Sequence, residues 1–239
     1  MQSIFKRYEK KYLITEKQRD ALQKTISEYM TLDQYGAYLV QNLYYDTENW
    51  DVIMASLEKP AYKEKMRLRC YGEAAGNSEF FLELKKKYKG VVYKRRIAIQ
   101  AQSLINNSVR GIVSATPSQI SKELDFYLQS NAVSEKIYIS YQRVAFAGIE
   151  DPELRVTFDT DICFRLDNLT FSNPHVGQSV LPEGKMLMEI KALGGMPIWM
   201  TGILSENEIF PTTFSKFGVC YTDYIYKQIC GEGKVKICA

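Results

Sequence analysis

The sequence predicts an α+β protein whose strands close into a β-barrel, a tunnel with a charged interior flanked by helices. Three observations lead there. Strand-length segments recur along the chain, and in each the residues two apart are charged, mostly Lys and Arg, with apolar residues between them. Helical segments with apolar stripes lie among the strands, able to cover an apolar face. The chain has 239 residues, 46% of them hydrophobic, which suits one barrel with flanking helices. No linker, low-complexity segment or fixed-period repeat divides it, so a single domain over 1–239 is expected.

The elements follow in order. Phe5 to Thr15 alternates and reads as a strand. Thr15-Glu16-Lys17-Gln18 has the form of a capping box and starts a helix to about Met30, with Ala21, Leu22, Ile26 and Tyr29 on its apolar stripe. Tyr38 to Tyr45 is a strand, and Thr47 to Ser56 a short helical turn. Three strands come next: Tyr62 to Tyr71, Glu79 to Tyr88 and Gly90 to Gln100, with Lys89-Gly90 as a hairpin turn. Ser103 to Ser130 is largely helical, with a second start at Thr116-Pro117-Ser118. Strands return at Lys136 to Gly148, Leu154 to Phe164 and Met186 to Ala192. Helices at about Pro197 to Ser205 and Thr213 to Ile229 end the chain.

Composition narrows the chemistry. Five dispersed cysteines without a CxxC suggest neither a zinc knuckle nor a redox pair. The one histidine, His175, excludes a multi-histidine metal site and the usual triad. A metal must then be held by carboxylates, which favours Mg²⁺ or Mn²⁺. A net charge of only +3 argues against a nucleic-acid partner. No apolar run reaches the roughly 18 residues of a membrane span. The first residues lack the features of a signal peptide, so a cytoplasmic location is expected.

Alternation groups Arg7, Glu9 and Lys11 on one face, then Lys65, Arg67 and Arg69, then Glu83, Lys85 and Lys87, then Lys94 and Arg96. Tyr141 shares a face with Arg143, Arg155 with Thr157 and Asp159, and Lys185 with Leu187, Glu189 and Lys191. One charged face is ordinary for a sheet with a wet side. Its repetition with a cationic bias is not. If helices cover the apolar faces, the charged faces meet inside, and such crowding persists only around an anion. A linear polyphosphate fits, with Arg as a fork and Lys as a point charge for its oxygens. Glu9, Glu83, Asp159 and Glu189 suit a divalent cation that bridges phosphates.

The segments RYEKKYLIT, KMRLRCYG, FLELKKKYKGVVYKRRIAI, SYQRVAF, LRVTFDTDI, LMEIKALGGMPIWM and FSKFGVCY follow one another along nearly the whole chain. Together they resemble the VTC domain, the polyphosphate polymerase domain of vacuolar transporter chaperone complexes, in its bacterial stand-alone form. That family belongs to the CYTH-like triphosphate tunnel metalloenzymes. The resemblance implies an antiparallel eight-stranded tunnel, Mn²⁺ or Mg²⁺, and transfer of the ATP γ-phosphate onto a growing polyphosphate. It assigns phosphate binding to Lys11, Arg67, Arg69, Lys85, Lys94, Arg143, Arg155, Lys191 and Lys216, with Tyr141 and Ser215 beside the phosphates. Of these, Lys11, Arg67, Arg69 and Arg143 are expected to act in catalysis with Glu189. Glu189 matches the metal-binding glutamate, and Glu9 and Glu83 are further candidate ligands. Many tunnel enzymes open with ExExK, whereas this chain has Arg7-x-Glu9-x-Lys11, a frame that suits the polyphosphate branch.

The expected enzyme is thus a phosphotransferase with ATP or another triphosphate and polyphosphate as partners. A triphosphatase or polyphosphatase in the same tunnel is the nearest alternative, and a non-catalytic polyphosphate or inositol-phosphate binding module the next. A membrane partner is left open.

Overall fold

The computed structural model describes residues 7–89 and 91–232. The turn residue Gly90, the strand residue Phe5 and Cys238 lie outside the described residues. In chain order the elements are β1 (Arg7–Thr15), α1 (Glu16–Tyr29), β2 (Met30–Asp46), α2 (Asp51–Leu57), β3 (Tyr62–Tyr71), β4 (Glu79–Tyr88) and β5 (Val91–Gln100). Then come α3 (Ala101–Asn106), α4 (Val109–Ala115), α5 (Gln119–Ser130), β6 (Ser134–Gly148), β7 (Arg155–Arg165), β8 (Gln178–Ser179) and β9 (Lys185–Leu193). Helices α6 (Ile198–Glu206), α7 (Lys216–Cys220) and α8 (Tyr226–Glu232) follow, the last two joined by a π-helical turn, Tyr221–Ile225.

Local chemistry explains several boundaries. The capping box forms: the Gln18 amide donates to Thr15 Oγ1 at 3.2 Å, and the Thr15 amide donates to Gln18 Oε1 at 3.0 Å. Ser118 caps α5 by accepting from the Ser121 amide at 3.0 Å, at the predicted second start. The segment read as largely helical is three helices, broken at Asn107 and Thr116. The β2 strand is longer than predicted. It leaves α1 directly at Met30, pairs with β6, and passes an irregularity between Leu32 and Ala37 where Gly36 takes a φ of 59°.

All strands join one antiparallel sheet in the order β1-β9-β7-β6-β2-β3-β4-β5, with β8 attached to β7. The expected closed barrel does not form: among the described residues no pairing joins β1 to β5. The outer edge of β1 is already used. The Thr212 amide donates to the Lys11 carbonyl at 2.7 Å, so the segment leading into α7 occupies the edge that closure would need. The sheet is nevertheless curled. Lys85 on β4 lies 3.9 Å from Glu9 on β1, so side chains bridge strands far apart in the sheet order.

Apolar packing divides by face. On the convex side, α1 and α6 cover β1, β9 and β7, burying Leu22, Ile26, Val156, Met188, Ile190 and Met200. Helices α3–α5 do the same over β2–β4, with Leu43, Met66, Leu68, Leu82, Leu84 and Leu124. Each such side chain contributes about 1.5–3 kcal/mol. Contrary to expectation, the C-terminal helices cover part of the concave face. Phe217, Cys220, Tyr221 and Ile225 pack there on Val40, Tyr44, Ile137, Ile139, Ile162 and Phe164.

A bulge extends that apolar inner surface onto β7. Gln142 opposes Thr160, whereas Ser140 opposes Cys163, so β7 carries an extra residue, and Asp161 has a φ of 51°. Before the bulge Arg155, Thr157 and Asp159 face inward; after it Ile162 and Phe164 do. Charged and apolar stretches of one concave wall are thereby separated.

Candidate active site

The charged part of the concave face holds two ion clusters. In the first, register places Lys11 opposite Glu189, Glu9 opposite Lys191, and Glu189 opposite Thr157. Lys11 Nζ lies 3.6 Å from Glu189 and 3.5 Å from Glu9, and donates to the Phe214 carbonyl at 2.9 Å. Lys191 Nζ is 3.5 Å from Glu189. Lys216 enters from α7, donating to Asp159 at 2.6 Å and to Glu189 at 3.3 Å. Arg143 forks onto Asp159 at 2.6 and 2.7 Å.

The second cluster surrounds Glu83. Arg67 lies at 2.8 Å, Lys94 at 2.5 Å, Arg96 at 3.7 Å and Arg69 at 4.0 Å. Neutral acceptors hold the guanidiniums in place. Arg67 donates to the Tyr44 hydroxyl at 3.0 Å, and Arg69 to Asn42 Oδ1 at 2.8 Å, the Tyr71 hydroxyl at 3.2 Å and the Tyr141 hydroxyl at 3.4 Å. The Arg96 guanidinium stands over Phe81, its central carbon 3.4 Å from the ring centroid.

The electrostatics agree with the contacts. Burial works against the Glu83 carboxylate, but Arg67, Arg69 and Lys94 outweigh it and pull its pKa down to about 2. Glu189 is held well below the carboxylate range: burial opposes ionisation, and Lys216, Lys11, Lys191 and Arg143 overcome it. The Asp159 pKa is lowered in the same way by Lys216 and Arg143. The same field acts on Tyr141. Burial raises its phenol, yet Arg143, Arg69 and Lys216 bring it down to about 8.

Most of the predicted residues therefore meet. Lys11, Glu9, Arg143, Lys191, Lys216 and Glu189 form one cluster, and Arg67, Arg69, Lys94 and Glu83 the other; Lys85 reaches Glu9, and Tyr141 contacts Arg69. Ser215 caps α7, accepting from the Gly218 amide at 3.3 Å. Arg155 stands apart, at the rim, paired with Asp33 at 2.8 Å. Among the described residues no group of three or more acidic, Cys or His side chains could hold a metal ion. Glu83 lies in a different cluster from Glu189 and Glu9. Asp159, fully buried within β7, anchors two cations.

Sequence reasoning passed over Arg96 and Lys65, although strand alternation had put both on charged faces. Thr157 was grouped with Arg155 and Asp159 but given no role. Its hydroxyl is buried beside Glu189 in register and, among the described residues, has no hydrogen-bond partner.

The family model described as VTC domain matches residues 6–224. No curated protein matches the chain by sequence. Among solved structures, a Vibrio parahaemolyticus protein provisionally described as an adenylate cyclase is 10% identical over 92% of this chain and 100% of its own, with a TM-score of 0.51. The PH1819 protein of Pyrococcus horikoshii is 14% identical over 90% of this chain and 99% of its own, with a TM-score of 0.46. No helix among the described residues is long and apolar enough to cross a membrane.

Proposed function

The chain belongs to the VTC domain family, and from that premise we propose that it is a metal-dependent polyphosphate polymerase, moving the γ-phosphate of ATP onto a growing polyphosphate chain. One observation carries the reading: Arg and Lys from β1, β3, β4, β5, β6, β9 and α7 converge on one concave wall, where they outnumber the carboxylates between them. A chain of phosphates supplies the missing anionic charge along a line.

The residues have distinct parts. Arg67 and Arg69 offer planar forks, already aimed by Tyr44, Asn42, Tyr71 and Glu83. Lys11, Lys85, Lys94 and Lys191 supply mobile point charges along the chain. Asp159 locks Arg143 and Lys216 in place, and Lys216 in turn steadies Glu189. Arg155 guides the chain at the rim. Positioning and charge stabilisation account for the catalysis, without a covalent intermediate.

Glu189 and Glu9 fit a Mg²⁺ or Mn²⁺ ion, a hard cation commonly held by one or two carboxylates together with substrate phosphates. They lie on adjacent strands and share the Lys11 amine. A metal bound there neutralises charge on the phosphoryl oxygens. Glu83, enclosed by four cations, is read instead as their internal counter-ion.

The test is incubation with ATP and Mn²⁺ followed by gel analysis of phosphate chain length, with Glu189→Ala in parallel. A ladder of long chains that the variant loses supports the polymerase. ADP with orthophosphate alone replaces it with a triphosphatase. Tight polyphosphate binding without turnover replaces it with a binding module.

A further inference from the structure

Lys65 sits on the inner face of β3, two residues from Arg67, and differs from the cations around it. Each cation placed above in the two clusters has a carboxylate within 4.0 Å; among the described residues Lys65 has none. Its amine donates only to Ser215 Oγ, at 3.5 Å, and lies 5.8 Å from the centroid of the Phe217 ring. The groups facing it are mostly cations: Lys63 on its own strand, Lys11 from β1 and Lys85 from β4. From β2, Asp46 offers little compensation, because its carboxylate is tied to the amides of Thr47, Val52 and Ile53 at the start of α2. From α7 come only a hydroxyl and a ring.

We propose that Lys65 is a further phosphate-binding residue of this wall, and that capture of an anion there is coupled to uptake of one proton by its amine. The proposal rests on the phosphate-tunnel reading and adds to it a group and a proton. The physical reason is the missing counter-charge. Burial, then Lys63, Lys11 and Lys85, push this amine down to about 7, so above neutrality it is largely the free base before an anion binds. A phosphate between Lys65, Lys11 and Lys85 reverses the field. The free amine then takes a proton from solvent and becomes an ammonium that donates to a phosphate oxygen. The N–H bond formed is balanced by the bond to hydrogen that breaks in the buffer acid, and nothing is oxidised or reduced.

The test is calorimetric titration with tripolyphosphate, without nucleotide or metal, at pH 8 in buffers of different ionisation enthalpy. The wild type is compared with Lys65→Arg and Lys65→Met, and each variant's folding is checked by thermal melting. Wild type is expected to take up close to one proton more than Lys65→Arg, whose guanidinium is always charged. Its affinity should fall by up to about tenfold per pH unit above neutrality relative to Lys65→Arg. Lys65→Met should bind weakly at every pH while melting no lower than wild type, since it removes a buried amine that has no carboxylate partner among the described residues. Equal proton uptake by wild type and Lys65→Arg would overturn the coupling. Unchanged affinity in Lys65→Met would overturn the contact. Because the probe needs no turnover, a failure here is separate from a failure of the polymerase reading, which the chain-length gel decides. If wild type bound no tripolyphosphate, both would fall.

Discussion

Lys216 and Asp159 stand 57 positions apart in sequence and 2.6 Å apart in space, the amine from the first turn of α7 against the carboxylate at the middle of β7. This contact ties the C-terminal helices to the charged wall, because the same amine also reaches Glu189. Breaking a buried pair by removing one partner leaves the other charge uncompensated. Asp159 would retain Arg143, so Lys216→Met should cost about 2–4 kcal/mol in urea unfolding. Adding Asp159→Asn should deepen that loss, because it leaves the buried Arg143 guanidinium without its carboxylate. If the single variant unfolds at the wild-type midpoint, the pair contributes no stability.

Glu83 has a different prediction, since it competes with any incoming anion for Arg67, Arg69, Lys94 and Arg96. Glu83→Gln should lower stability near neutral pH by about 3 kcal/mol and tighten tripolyphosphate binding by roughly tenfold. A metal ligand would behave otherwise, with affinity falling only when metal is present. The acid dependence has a definite sign. The folded carboxyl is depressed to about 2 from an ordinary 4.5, so its contribution is full above pH 4.5 and disappears as pH falls toward 2. Unfolding free energy measured from neutral pH downward should therefore decline less steeply in Glu83→Gln than in wild type.

Tyr141 reports on occupancy. With its phenol brought down to about 8 by Arg143, Arg69 and Lys216, it should ionise ahead of most tyrosines in the empty protein. An anion that neutralises those cations removes the cause, so added tripolyphosphate should move the titration upward. Ultraviolet difference absorbance against Tyr141→Phe measures it. A titration indifferent to tripolyphosphate would show that the anion binds elsewhere.

Thr157 carries a buried hydroxyl beside Glu189 that no described residue pairs. Thr157→Val keeps the shape and removes the orphaned group, so thermal unfolding should show a gain of about 1 kcal/mol. A loss of similar size would mean that the hydroxyl is satisfied in solution by an ordered water.

What the sequence determined by itself is what depends on neighbours along the chain. Alternation assigns a face to each residue of a regular strand, so Lys11, Arg67, Lys85, Arg143 and Glu189 could be placed on a common charged wall without knowing the strand order. The Thr15 capping box and the Ser118 start are equally local. The order of the segments also revealed the family, which the match over residues 6–224 bears out. Tertiary structure decided whatever depends on which strands and helices meet. One extra residue at Asp161 turns the inner face of β7 from charged to apolar, and no spacing in LRVTFDTDI announces it. Thr212 occupies the edge of β1, so the sheet curls without closing. The division of the carboxylates followed the same logic. The sequence had singled out Glu189 by its family motif and grouped Glu9 and Glu83 with it, but pairing with β3 and β5 enclosed Glu83 in cations, while α7 delivered Lys216 to Asp159 and Glu189. A charge's role is set by its partners in space, and those partners come from distant parts of the chain.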